Sequence, residues 1–275
     1  MNAPNTTTSL PTRAWAGGVC LMLFGLALAA AALGPIDALT GVAVVAVIVF
    51  ACGWGRLVHA PAPGISAVII AVMALASLGV VRVTMDAAWG VYVAGFVVCA
   101  AFIGEMVRGR GRTSVLGSLA TTVTGTVLAM TTIAWIALEN YRVWLILAHP
   151  MGICLVVAGA CLFLRGSVWM RVLTSIVLCT LGGLVAVGLV MVAGLGANDS
   201  ILVASASVGT TEPMIAMLTV FGAFGMVSGL VVAGCHAFFA GRMAPTSLMG
   251  AAALGMIPWL TAAIPVYAFA RIMGG

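Results

Sequence analysis

Long apolar runs recur along this chain, and polar residues interrupt them only briefly. They cover about 14–33, 40–55, 64–81, 87–107, 113–138, 143–164, 172–196, 213–239 and 246–270. A run of roughly 18 to 25 apolar residues is long enough, as a helix, to cross about 30 Å of hydrocarbon. The runs are continuous and do not alternate, which predicts helices and not barrel strands. In lipid every backbone polar group must be bonded within the protein, and a helix achieves this alone. The expectation is an all-α polytopic membrane protein of about nine transmembrane helices with no soluble domain. Residues 14–275 form its single bundle, and the polar residues 1–13, with prolines at 4 and 11, form a disordered cytoplasmic tail. The first run, about 20 residues long, exceeds the apolar region of a signal peptide, so it is expected to be retained.

Charge adds a direction. Arg108-Gly109-Arg110-Gly111-Arg112 puts three arginines between two apolar runs. Arginine-rich loops resist translocation and mark the cytoplasmic side. With that loop inside, the chain runs N-in, C-out. Arg13, Arg56, Arg108, Arg110, Arg112, Arg165, Arg171 and Arg242 then lie inside; Arg82, Arg142 and Arg271 lie outside. Five of the six acids (Asp37, Asp86, Glu139, Asp199, Glu212) fall outside as well, leaving Glu105 inside.

Composition narrows the class further. Hydrophobic residues make up 64% of the chain and charged residues 6%, too little polar surface for a soluble fold of this size. The net charge of +5 comes from scattered loop arginines with no lysine. No basic face interleaved with aromatics appears, so nucleic acid is not an expected partner. Exclusive use of Arg, with abundant Ala, Gly and Val, fits a GC-rich bacterial genome. The expected location is a bacterial cytoplasmic membrane, multi-pass, with the lipid bilayer as first partner. All seven cysteines fall inside apolar runs without a CxxC pair and are expected as small buried hydrophobes.

Several spans differ from plain lipid-facing helices. In the fifth, Ser114, Ser118, Thr122 and Thr126 stand at i,i+4 spacing beside Gly117, Thr121, Gly125 and Ala129. That side is either a close helix–helix seam or a hydroxylated wall along a substrate path, carried by Thr121, Thr122 and Thr126. The eighth holds Gly222, Gly225, Gly229 and Ala233, and its GxxxG at Gly225 and Gly229 predicts tight packing within the chain or in a homo- or hetero-oligomer. The ninth carries Pro258 and Pro265, nearly on one face. Each removes a backbone bond and predicts a kink or hinge. The pentamer Leu-Val-Val-Ala-Gly recurs at 155–159 and 230–234, read either as a coincidence in a chain this rich in Val, Ala, Leu and Gly or as a trace of a repeated hairpin. Residues 197–212 are small and polar around a semi-apolar stretch too short to span, read as a re-entrant segment or a plain loop.

Ionisable groups within the apolar zone are few. His149 falls a turn or two inside the outer end of the sixth span, and Glu105 ends the fourth. Intramembrane ionisable residues are expensive and mark function, so both are candidates for proton coupling and His149 also for the substrate path. The bland alternatives are a satisfied interfacial histidine and a local ion pair of Glu105 with Arg108. Trp15, Trp54, Trp89, Trp135, Trp144 and Trp169 lie near predicted helix ends, as an aromatic belt would.

Familiar catalytic patterns are missing. The sequence has no HExxH, no GxSxG, no phosphate-binding Walker motif and no paired acids within one span. No metal site and no cofactor is expected. Pro63-Gly64-Ile65-Ser66 resembles a short stretch of the undecaprenyl-diphosphate phosphatases, whose accompanying Glu-rich motif this chain lacks. The expected function is that of a small permease for a small neutral or amphipathic substrate, with lipid-linked molecules among the candidates. The alternatives are a non-catalytic subunit of a larger membrane complex and a membrane transferase with an outer-face site.

Overall fold

The structure, a computed structural model, describes residues 10–108, 114–141, 147–164, 167–193, 212–240 and 245–274. Among them every regular element is helical. They are α1 (Leu10–Ala31), α2 (Ile36–Leu57), α3 (Pro63–Thr84), α4 (Ala87–Gly95), α5 (Val97–Val107), α6 (Val115–Met130) and α7 (Ile133–Ala137), the last continued by a 3-10 turn at Leu138–Tyr141. They continue with α8 (Ala148–Cys161), α9 (Val168–Ala193), α10 (Pro213–Cys235), closed by a π turn at His236–Ala240, and α11 (Leu248–Gly274). The protein is an all-α polytopic membrane protein. Seven stretches are long and apolar enough to cross a bilayer, while Trp15–Ala31 and Ala148–Cys161 are apolar but shorter.

Local chemistry sets the element ends. Asp86 caps α4, its carboxylate accepting the Ala88 N–H at 2.9 Å. Pro63 opens α3, where its missing N–H costs nothing. Met85 ends that helix in the left-handed region (φ 56°), and the Asn140 amide donates to its carbonyl. Two expected spans are broken. The fourth divides at Phe96 into α4 and α5. The fifth, expected as one helix over 113–138, divides at Thr131-Thr132. There both hydroxyls take carbonyls three residues back (Leu128 at 2.7 Å, Ala129 at 2.6 Å), and the backbone tightens to the same spacing. The ninth does the opposite, with Pro258 and Pro265 inside one uninterrupted α11.

Close approaches fix the relative directions of the helices. A Cβ on Gly25 would lie 2.9 Å from the Gly152 carbonyl oxygen, and one on Gly18 would lie 3.3 Å from that of Gly159. As α1 advances, α8 recedes, so they are antiparallel. Gly17 meets Ala251 and Gly255, and the Trp259 indole donates to the Phe24 carbonyl at 3.1 Å, making α1 and α11 parallel. Gly183 meets Phe221 while Gly229 meets Ile176, so α9 and α10 are antiparallel. Ser66 pairs with Thr122, and Ile70 with Gly125, so α3 and α6 are parallel.

These directions gather two ends. One joins the last turn of α1 to the first of α8 (His149–Ala29), the start of α2 to the end of α3 (Asp37–Arg82, 2.9 Å), and Asn140 to Met85. The other joins Gly55 to Pro63, Leu57 to Gly250 and Trp15 to Phe163. The centre between them is aromatic: Phe50, Trp54, Trp135 and Trp259 are fully or almost fully buried.

That core corrects the aromatic belt. Trp15, Trp89 and Trp169 are exposed as expected, but Trp54 and Trp135 face inward. Trp54 lies over Gly125, whose missing side chain makes the room, and donates to the Thr121 carbonyl at 2.9 Å. Trp135 packs on Trp259 with ring centroids 5.9 Å apart. The cysteines also divide: Cys154, Cys161 and Cys179 are buried, whereas Cys52 and Cys99 are exposed on apolar helices. The repeated pentamers occupy unlike settings, since Gly159 is packed against α1 and Gly234 has open space before it. Trp144, Arg142 and nearly all of 197–212 lie outside the described residues.

Candidate functional site: a bay at one end of the bundle

Three helices leave a space beside their shared end. Residues 87–94 of α4, 127–134 of α6 and α7, and 264–271 of α11 line a bay of about 540 Å³. Each stretch covers about 10 Å of helix axis, so the bay reaches roughly a third of the way across a hydrocarbon core. Its volume is in the range of small-molecule sites. The threonine break in the fifth span produces this wall. Met130, Thr131, Ile133 and Ala134 bring the bend to the bay, and Thr131 Oγ1 lies 2.8 Å from the Leu260 carbonyl, tying the bend to α11.

The lining is mostly apolar, with a cation at its outer end. Val91, Ala94, Val127 and Ile264 give it an apolar wall, Tyr92 and Tyr267 add phenols along that wall, and Arg271 stands at the mouth. Tyr92 stands edge-on to Trp89 with centroids 5.5 Å apart, and both rings are exposed. Such rings sit where hydrocarbon gives way to headgroups. Arg271 is exposed in the last turn of α11, where a cation also suits the helix dipole. Asp86, which precedes the bay's first residues in the chain, caps α4.

The side chains expected from sequence lie elsewhere. Ser66 Oγ and Thr122 Oγ1 are 2.9 Å apart, and Thr126 donates to the Thr122 carbonyl at 2.8 Å. With the Thr121 carbonyl taken by Trp54, Thr121, Thr122 and Thr126 sit in a seam between α2, α3 and α6. His149 is in the first turn of α8, nearer the helix end than expected, and its Nδ1–H donates to the Ala29 carbonyl at 2.8 Å. Glu105 is buried, and both its oxygens accept from Arg108 Nη1, at 3.1 and 2.9 Å. Pro258 is buried in α11. Pro265 lines a smaller groove of about 230 Å³ between α10 and α11 with Phe224 and Phe269. Gly225 and Gly229, expected in tight packing within the chain or in an oligomer, pack against α9 of the same chain: Gly225 meets Cys179 and Thr180, and Gly229 meets Ser175 and Ile176. None of these residues lines the bay.

The bay itself was missed. Its signals were the Thr131-Thr132 pair and an arginine seven residues beyond Ile264, neither of which points to a cavity before the helices are placed. Among the described residues no three potential metal ligands cluster. What the bay offers chemically is an apolar trough with two phenols along its wall and a cation at its mouth. The fold defines a multi-pass α-helical membrane protein, with this trough beside one end of its bundle. Compared with known protein families, curated proteins and solved structures, the chain matches none.

Proposed function

We propose that this chain is a multi-pass permease for an amphipathic substrate and that the substrate enters sideways from the bilayer through the bay. The observation that carries this reading is the bay's amphipathic lining, hydrocarbon-like at Val91, Ala94, Val127 and Ile264, with phenols at Tyr92 and Tyr267 and a cation, Arg271, in the last turn of α11. A wholly polar solute would lose its hydration along that wall with nothing to replace it. An amphiphile matches both parts. Proton coupling falls to His149 or Glu105. The Ala29 carbonyl accepts from His149 Nδ1–H, which fixes the orientation of the ring.

The membrane is that of a bacterial cytoplasm, with the bay facing out, the N-terminus in and the C-terminus out. The end that carries the bay holds Asp37, Asp86, Glu139 and Glu212 against Arg82 and Arg271. The opposite end holds Arg56, Arg108 and Arg171 against Glu105. That asymmetry favours the second end as cytoplasmic.

Flux of a fluorescent single-chain amphiphile into liposomes containing the purified protein tests the proposal. Val91 and Val127 are exposed on the bay wall, so Val91→Trp and Val127→Trp fill the space without disturbing the core. Both are expected to lower flux to the protein-free rate with helix content unchanged. Wild-type flux in both variants would overturn the proposal.

A further inference from the structure

Resting on that reading, we infer that the bay selects a lipid with an anionic headgroup and a single hydrocarbon chain, its headgroup held by Arg271. Three features of the mouth carry this. Arg271 lines the bay, is exposed, and has no ion-pair partner among the described residues. The ion pairs found there are Arg82 with Asp37 and Arg108 with Glu105. Asp86, the carboxylate nearest along the chain to the bay's first residues, accepts the Ala88 N–H as the cap of α4 and forms no ion pair with Arg271. The exposed Trp89–Tyr92 pair places this rim at headgroup depth, where phenol and indole edges meet polar groups.

Below its mouth the trough is short, about 10 Å of helix axis, and its volume of about 540 Å³ has room for one hydrocarbon chain. Gly90 leaves α4 close to Ile133 and Ser77, so the floor is sealed and the opening lies along Val91 and Val127, which face the bilayer. A guanidinium offers a planar fork of donors that matches a phosphate or carboxylate, and the charge is worth more in a membrane interface than in bulk water. A zwitterionic headgroup brings its own cation to the same arginine and forfeits part of that gain.

The test uses the full-length protein in phosphatidylcholine nanodiscs, with native mass spectrometry counting retained lipid. The probes are lysophosphatidylglycerol and lysophosphatidylcholine of equal chain length. Wild type is expected to retain the anionic lipid about fivefold better, the size of one interfacial charge contact. Arg271→Gln is expected to bring the two probes level, and Arg271→Lys to restore part of the preference. Arg82→Gln, which removes a charge already paired with Asp37, is expected to leave it intact. Equal retention of both probes by wild type, or an undiminished preference in Arg271→Gln, overturns the inference. Anionic preference without flux would keep this inference and remove the permease. Flux without headgroup preference would do the reverse.

Discussion

Two buried tryptophans show how much a single atom decides at the scale of the residue. Trp54 and Trp135 are 2% and 0% exposed, yet the Trp54 indole donates to Thr121 while Trp135 Nε1 has no hydrogen-bond partner among the described residues. Replacing either by Phe deletes a similar volume from the same aromatic core, so the cavity term largely cancels between them. Only Trp54→Phe also breaks a hydrogen bond between helices, worth about 1 kcal/mol. Trp135→Phe instead removes a buried donor that is already unsatisfied, a group whose burial is itself costly. Detergent unfolding titrations followed by circular dichroism are expected to find Trp54→Phe the less stable variant by about that amount. Equal stabilities would mean that a water or other group satisfies Trp135. Neither role was legible in the sequence. Position near a span end predicts the interface for any Trp, and what moved these two inward was the absent side chain at Gly125 and the neighbouring ring of Trp259.

At the scale of the helix, glycine spacing reads well only when the partner is known. The Gly225–Gly229 pair announces itself because four-residue spacing puts two glycines on one face, and that face is packed against α9. Gly18 and Gly25 on α1, and Gly152 and Gly159 on α8, are each seven apart and form an equally close antiparallel seam. A seven-residue interval in a chain with 34 glycines carries no signal of its own until the two helices are seen together. The seam has a measurable consequence. A Cβ on Gly152 would lie 2.6 Å from both the Ala29 nitrogen and the Gly25 oxygen, backbone atoms that cannot swing aside. Gly152→Ala is expected to cost about 1–3 kcal/mol as the helices are forced apart. Gly234, with nothing within 4 Å, provides the control. There Ala should stabilise by up to about 1 kcal/mol through helix propensity. Opposite signs in one unfolding assay would show that packing, and not backbone flexibility, keeps glycine at 152. The broken fifth span follows the same logic, because a threonine pair bends a helix only where a neighbour such as the Leu260 carbonyl rewards the bend.

At the scale of the molecule, continuous apolarity made the helices legible, since no other backbone satisfies itself in lipid. Their order in space was not, because Val, Ala and Leu on one helix resemble those on every other. Direction is the property that links the two levels. The contacts make α1 antiparallel to α8 and parallel to α11, α3 parallel to α6, and α9 antiparallel to α10. Seven described stretches are long enough to cross, and counting the two shorter apolar helices as crossings would give nine alternating passes and each of those relations. One pass more or fewer between α1 and α11 would reverse the relation between those two. Thr84 and His59 then stand on opposite faces, one at the end of α3 beside the bay and the other in the turn between α2 and α3. Both are exposed, so single cysteines there should be tolerated, and the native thiols sit within apolar helices where a membrane-impermeant maleimide gains little access. In intact cells the Thr84→Cys protein is expected to label above the wild-type background, and the His59→Cys protein only after the membrane is opened. Labelling of both in intact cells would break α3 as a spanning helix. The reverse pattern would turn the bundle over, placing the bay and Arg271 on the cytoplasmic face and making the proposed substrate one that is taken from the inner leaflet.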